Sequence, residues 1–125
     1  MDINIIQEVK KNHETVVSWR RALHQIPELG IELPRTVAFV TEKLAEMNIP
    51  YEIYEDCSCV AATIGKGGKC ILLRGDMDAL PVKEESGLDF ASRTDLSHAC
   101  GHDFHAASLL GAAKILKDHE AELPG

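Results

Sequence analysis

From Ile5 to about Gln25, the apolar residues Ile5, Val9, Val16, Trp19 and Leu23 recur at helical spacing between charged and polar neighbours, which predicts an amphipathic helix. Pro27 and Gly30 break that pattern. A second helical stripe follows in Val37, Val40, Leu44 and Met47, with Pro34 suited to its first turn and Asn48 and Pro50 ending it. Beyond Pro50 the period shortens: Tyr51 to Tyr54 and Val60 to Ile64 read as short β-prone runs, and Cys70-Ile71-Leu72-Leu73 is continuously apolar. Such an uninterrupted run predicts a strand buried on both faces of a layered α/β sheet, with Gly65-Lys66-Gly67-Gly68 turning the preceding strand back onto it. From Arg74 to Gly101 no period is evident, and so long an irregular stretch inside a compact domain usually carries function. A third helix is predicted from Phe104 to about Asp118, where Ala106, Ala107, Gly111, Ala112 and Ala113 permit close approach to a sheet.

Composition narrows the class. With 125 residues, 45% hydrophobic and 26% charged, the chain has the size and balance of one ordinary globular domain. The start of the chain lacks a basic segment followed by an apolar run, and no stretch approaches the ~20 apolar residues that span a bilayer. A cytoplasmic protein is therefore expected, with Cys57, Cys59, Cys70 and Cys100 as thiols rather than bridges. A net charge of −7 repels phosphate backbones and anionic lipid, which argues against nucleic acid or a membrane as partner.

Chemistry concentrates in His98-Ala99-Cys100-Gly101-His102-Asp103-Phe104-His105. Thiolate and imidazole are the donors that zinc favours, and imidazole also serves manganese, cobalt and nickel. Cys100 and His102 are one residue apart and could both reach one ion from a turn relaxed by Gly101, while His105 would share a helical face with His102. Asp103 could cap that helix or accept a ring N–H from a ligating histidine. A lone Cys-x-His would read as a buried thiol beside a surface histidine; the density of donors here favours a metal site. A second group, Arg74-Gly75-Asp76-Met77-Asp78-Ala79-Leu80-Pro81, follows directly on the expected buried strand, where open α/β sheets place their ligands. Taken alone, its carboxylates could equally be a solvated turn. The third group, Arg20-Arg21-Ala22-Leu23-His24-Gln25-Ile26-Pro27-Glu28-Leu29-Gly30, is explained mostly by helix termination, and His24 reads as a surface or packing histidine. Cys57-Ser58-Cys59 is too closely spaced for a zinc knuckle, and Cys70 reads as a core residue.

In order and spacing, Arg-Arg-x-Leu-His-x-x-Pro-Glu-Leu, Arg-Gly-Asp-Met-Asp-Ala-Leu-Pro and His-Ala-Cys-Gly-His-Asp-x-His resemble the metal-dependent amidohydrolases related to aminoacylase. The resemblance is to the branch containing hippurate hydrolase, N-acetyldiaminopimelate deacetylase and the auxin-conjugate hydrolases, and it runs over essentially the whole chain. It implies hydrolysis of the amide of an N-acyl amino acid by one or two divalent ions (zinc, manganese, cobalt or nickel). The implied fold is a three-layer α/β catalytic domain with a mostly parallel sheet, of which residues 1–125 would be an incomplete N-terminal portion lacking the later strands and the lid domain through which full-length relatives often dimerise. Carried over by position, Cys100 and His102 match metal ligands and Asp78 matches an active-site aspartate that orients a metal-binding group. Asp76 stands where more distant relatives have a ligating histidine, and His98 and His105 belong to the motif without being assigned as ligands. The general base, a glutamate of a downstream Glu-Glu pair, the remaining ligands and the lid are implied to lie beyond Gly125. The chain is therefore expected to be a truncated product, inactive on its own, with a non-catalytic metal-binding or interaction fragment as the competing expectation.

Overall fold

The computed structural model describes residues 2–125. Helix α1 spans Ile5–His24, opened by the Asn4 side chain accepting the amide N–H of Gln7 at 3.2 Å. Helix α2 spans Pro34–Glu46, with proline in the first turn where a missing N–H costs nothing. It closes on Asn48 in the left-handed conformation (φ 56°), with the N–H of Ile49 donating to Leu44 O at 2.9 Å and that of Asn48 to Ala45 O at 3.0 Å. Leu44 and Ile49, brought together by this closure, are both buried. Strands β1 (Tyr51–Tyr54) and β2 (Cys59–Ala62) form an antiparallel pair in which Tyr51 faces Ala62 and Tyr54 faces Cys59. Helix α3 spans His102–Asp118. The result is a small α/β assembly of three long helices and one two-stranded sheet among the described residues.

The core lies between the helices: Trp19 and Leu23 of α1, Val40 and Leu44 of α2, and Ala106, Ala107 and Leu110 of α3 form one buried cluster. The α1–α3 crossing is close because α3 presents small residues to it. A Cβ built on Gly111 would stand 2.7 Å from Val16 Cγ2, inside any real contact distance. The helices expected from periodicity are thus present, with two differences in packing. Ile5 and Val9, expected in the buried stripe of α1, are 64% and 50% exposed and line an open apolar groove with Ile115 and Leu116 of α3.

The larger correction concerns Cys70 to Leu73. This run is neither a strand nor buried: Ile71 is 85% and Leu72 88% exposed, and Cys70, expected in the core, is exposed as well. A central strand needs paired backbone on both sides and layers above and below, and the sheet among the described residues is the β1–β2 pair alone. The glycine turn does not fold one strand onto another either. Instead Lys66 N donates to Gly125 O at 3.1 Å, tying residues 65–68 to the far end of the chain. The region from Arg74 to Gly101 is irregular, as expected, and is pinned by a bridge in which Leu80 and Ser97 exchange backbone hydrogen bonds of 2.9 and 3.0 Å.

Gly111→Val should lower stability by about 1–3 kcal/mol through overpacking against Val16, and adding Val16→Ala should recover much of that loss. Denaturant melts of the single and double variants check both.

Candidate metal centre

Gly101 holds a left-handed conformation (φ 89°) that turns the chain from the Ser97–Cys100 loop into α3. His102 is therefore the first helical residue, and His105 lies one turn on. Their rings stack with centroids 5.4 Å apart. The loop carrying Asp76 and Asp78 runs alongside. Its close approach depends on Gly75, where a Cβ would come within 3.2 Å of the His105 carbonyl oxygen. The alternation of an extended backbone then sends Asp76 and Asp78 to the same side. Asp76 Oδ1 lies 2.6 Å from His105 Nδ1, Asp76 Oδ2 3.4 Å from His102 Nε2, and Asp78 Oδ1 2.9 Å from His102 Nδ1. The hydrogen bond from His105 holds the Asp76 carboxyl below the usual carboxylate range, against the opposing effect of burial. Beside this group lies a shallow cavity of about 470 Å³ lined by Leu73, Arg74, Asp76, His105, Ser108 and Leu109 among others.

Among the described residues, Asp76, His102 and His105 are the group whose ligand atoms all lie within 4.8 Å of one another. Three donors each ~2.1 Å from a common tetrahedral ion stand about 3.4 Å apart, and two imidazoles with a carboxylate are donors suited to zinc and its neighbours. The set therefore fits a divalent cation. Of the residues singled out from the sequence, His102 lies inside the cluster and Asp78 fixes its ring. Cys100 is exposed on the turn before α3, two residues from His102 and outside that group. His98 is buried, with neither ring nitrogen hydrogen-bonded, and burial pushes its pKa down.

Behind the cluster lies a set of ionic contacts that sequence reading passed over. Asp103, 1% exposed, receives Arg20 Nε at 2.8 Å and His24 Nδ1 at 2.7 Å, while His24 Nε2 lies 2.7 Å from Glu84 Oε1. Glu84 in turn accepts from Ser86 Oγ and, at 2.9 Å, from Ser92 N. The only signal in the sequence was the Arg-Arg-x-Leu-His block at the end of α1, which helix termination already explained.

The sequence comparisons agree with this geometry. A family profile described as peptidase family M20/M25/M40 matches residues 72–125, the stretch holding both the aspartate loop and the histidine turn. Residues 72–125 belong to the M20 peptidase family. N-acetyl-L-cysteine deacetylase of Bacillus subtilis is 44% identical over 113 residues, covering 88% of this chain and 27% of that protein. N-acyl-L-amino acid amidohydrolase of Geobacillus stearothermophilus is 40% identical over 124 residues, covering 97% and 33%. The crystal structure of the Bacillus subtilis YxeP protein, described as a dinuclear metal binding peptidase of the M20 family, superposes with a TM-score of 0.85 at 38% identity, over 93% of this chain and 34% of that one. The chain thus spans a third or less of the length of these two curated relatives. Among the described residues, no helix is long and apolar enough to cross a membrane.

Two measurements follow from the site. Asp78→Asn should weaken zinc binding by about 10–100-fold, the usual cost of losing a carboxylate that orients a ligating histidine; isothermal titration reads it. Burial disfavours the charge on Glu84, but the hydrogen bonds from Ser86, Ser92 and His24 outweigh it and lower its pKa below the ordinary 4.5. A depressed folded-state pKa adds stability above the unfolded value that is lost as pH falls through the folded one. The melting temperature of the metal-free chain should therefore drop on acidification below about pH 4.5, less steeply in Glu84→Gln.

Proposed function

We propose that this chain forms part of the catalytic domain of an M20 amidohydrolase that cleaves the amide bond of N-acyl amino acids. The observation that carries the reading is the His102 imidazole held between Asp78 and Asp76 at the start of α3. In this reading His102 and Cys100, from one turn, ligate a divalent ion (zinc, manganese, cobalt or nickel), and Asp78 fixes the tautomer and direction of the His102 ring. Asp76 and His105 stand close enough to join them. When bound, such an ion supplies Lewis acidity, making a water nucleophilic near neutral pH and polarising the scissile carbonyl.

The chain's own residues set the stage for that chemistry. With Nδ1 engaged by Asp78, His102 has Nε2 left to offer as a donor. Asp76 supplies a carboxylate beside the two imidazoles, its pKa lowered chiefly by the hydrogen bond with His105. Cys100 is an exposed free thiol two residues before His102. Proton acceptance from the attacking water falls to a glutamate outside residues 1–125, and substrate recognition to further polypeptide, so the isolated chain should be catalytically silent. The full domain would be a three-layer fold with a mostly parallel sheet, in which the exposed apolar run at Ile71–Leu73 takes its place as a strand. The two relatives described above, a deacetylase of N-acetyl-L-cysteine and an amidohydrolase of N-acyl-L-amino acids, support the substrate class.

A second reading, a non-catalytic binding fragment, draws on the same exposed run and on the apolar groove between Ile5, Val9, Ile115 and Leu116. The two diverge in one experiment. Residues 1–125 are exchanged for the matching segment of the Geobacillus amidohydrolase, and hydrolysis of hippurate and N-acetyl amino acids is followed with added zinc or manganese. The chimera should hydrolyse them in a metal-dependent way, the isolated chain should not, and Cys100→Ser in the chimera should reduce the rate by more than about tenfold. A folded, metal-loaded chimera without activity would sink the proposal.

A further inference from the structure

We infer that His24 is a positioning residue for the metal-ligand pair, acting through Asp103 and Glu84 without touching the ion. The inference rests on the reading of His102 as a ligand. Helix α3 begins without a side-chain cap, its N-cap being Gly101. The face it turns to the core is made of Ala106, Ala107, Leu110 and Gly111, small residues that let it pack closely on α1. A rotation about the helix axis would carry His102 and His105 away from Asp76 and Asp78. A directional contact adds to this packing: the carboxylate of Asp103, next in sequence to His102, is held by Arg20 and His24 of α1.

The other nitrogen of His24 performs the matching task for the loop. Glu84 lies six residues after Asp78 on the same irregular segment, and its contact with His24 Nε2 anchors that segment to α1. One imidazole thus joins pieces of chain separated by 60 and 79 residues, one bearing the histidines and the other the aspartates that must meet them. Contacts of 2.7 Å on both ring nitrogens leave His24 fully engaged between Asp103 and Glu84. Arg20 is itself fixed over Phe104, with its guanidinium carbon 4.2 Å from the ring centroid.

A purely architectural role would lower stability and leave the site's geometry alone, and this difference is measurable on the 125-residue chain. His24→Ala and Glu84→Ala are compared with Val40→Ala, a core truncation in α2 remote from the clasp. In the metal-free chain at neutral pH, nitrogen-15 spectra of the imidazole rings report the tautomer of His102, which its contact with Asp78 fixes. Wild type and Val40→Ala should show one fixed tautomer, and His24→Ala and Glu84→Ala an averaged ring. In zinc titrations the two clasp variants should lose about 10–100-fold in affinity while Val40→Ala loses none. Unchanged His102 ring signals in the clasp variants, with only a lowered melting temperature, would overturn the inference. If His24→Ala does not fold, Glu84→Ala decides alone. A wild-type chain that binds no zinc would refute the metal reading, and the ring signals would still decide the positioning one.

Discussion

The contact on which the rest depends is the one between the buried carboxylate of Asp103 and its two partners on α1, Arg20 and His24. A carboxylate taken wholly out of water is tolerated only when paired and hydrogen-bonded, and removing one partner of such a pair typically costs about 3–5 kcal/mol. That penalty makes the contact a strong discriminator among arrangements of α3, alongside its close packing on α1. Because Asp103 adjoins His102, the interaction that fixes how α1 and α3 sit together also fixes where the first imidazole of the site points. Fold and site are here the same constraint seen from opposite sides of one helical turn.

What could be read from the sequence follows from how far apart the interacting residues lie. Helices α1, α2 and α3 were legible because a 3.6-residue period and its stop signals are local, and Pro34, Asn48 and Gly101 act where they stand. The β1–β2 pair was legible as two short β-prone runs. Cys70 to Leu73 was misread for a physical reason: apolar continuity marks a segment that would be buried when sheet neighbours flank it, and among residues 2–125 none does. A hydrophobic pattern reports a preference, and the surrounding polypeptide determines whether it is met.

The same distinction applies to the site. His102 was legible because donors crowd the eight residues from His98 to His105, and the i, i+3 spacing already aligned His105 with it. The meeting of these rings with Asp76 and Asp78 was suggested only by resemblance, since nothing local brings residues 24 to 29 positions apart into contact. His24 and Glu84 were not legible at all. Each has an adequate local explanation, helix termination for one and a polar loop for the other, and their shared role exists only once α1, α3 and the loop are packed together.

The placement of these aspartates also resolves an electrostatic difficulty. The start of a helix carries about half a positive charge from its unpaired N–H groups, which favours anions and opposes a cation placed there. A metal ion at His102 and His105 would sit against that field. Asp76, Asp78 and Asp103 all gather around the first turn of α3, an end of the helix suited to carboxylates. Asp103 lies on the inner side, its Oδ2 held by Arg20 and His24 within the protein. Asp76 and Asp78 lie on the outer side with only histidines and the exposed Arg74 for company, and they leave the first turn with a negative face. The helix end thus helps to hold the carboxylates, and the carboxylates convert an anion-favouring end into a place where a divalent cation is welcome.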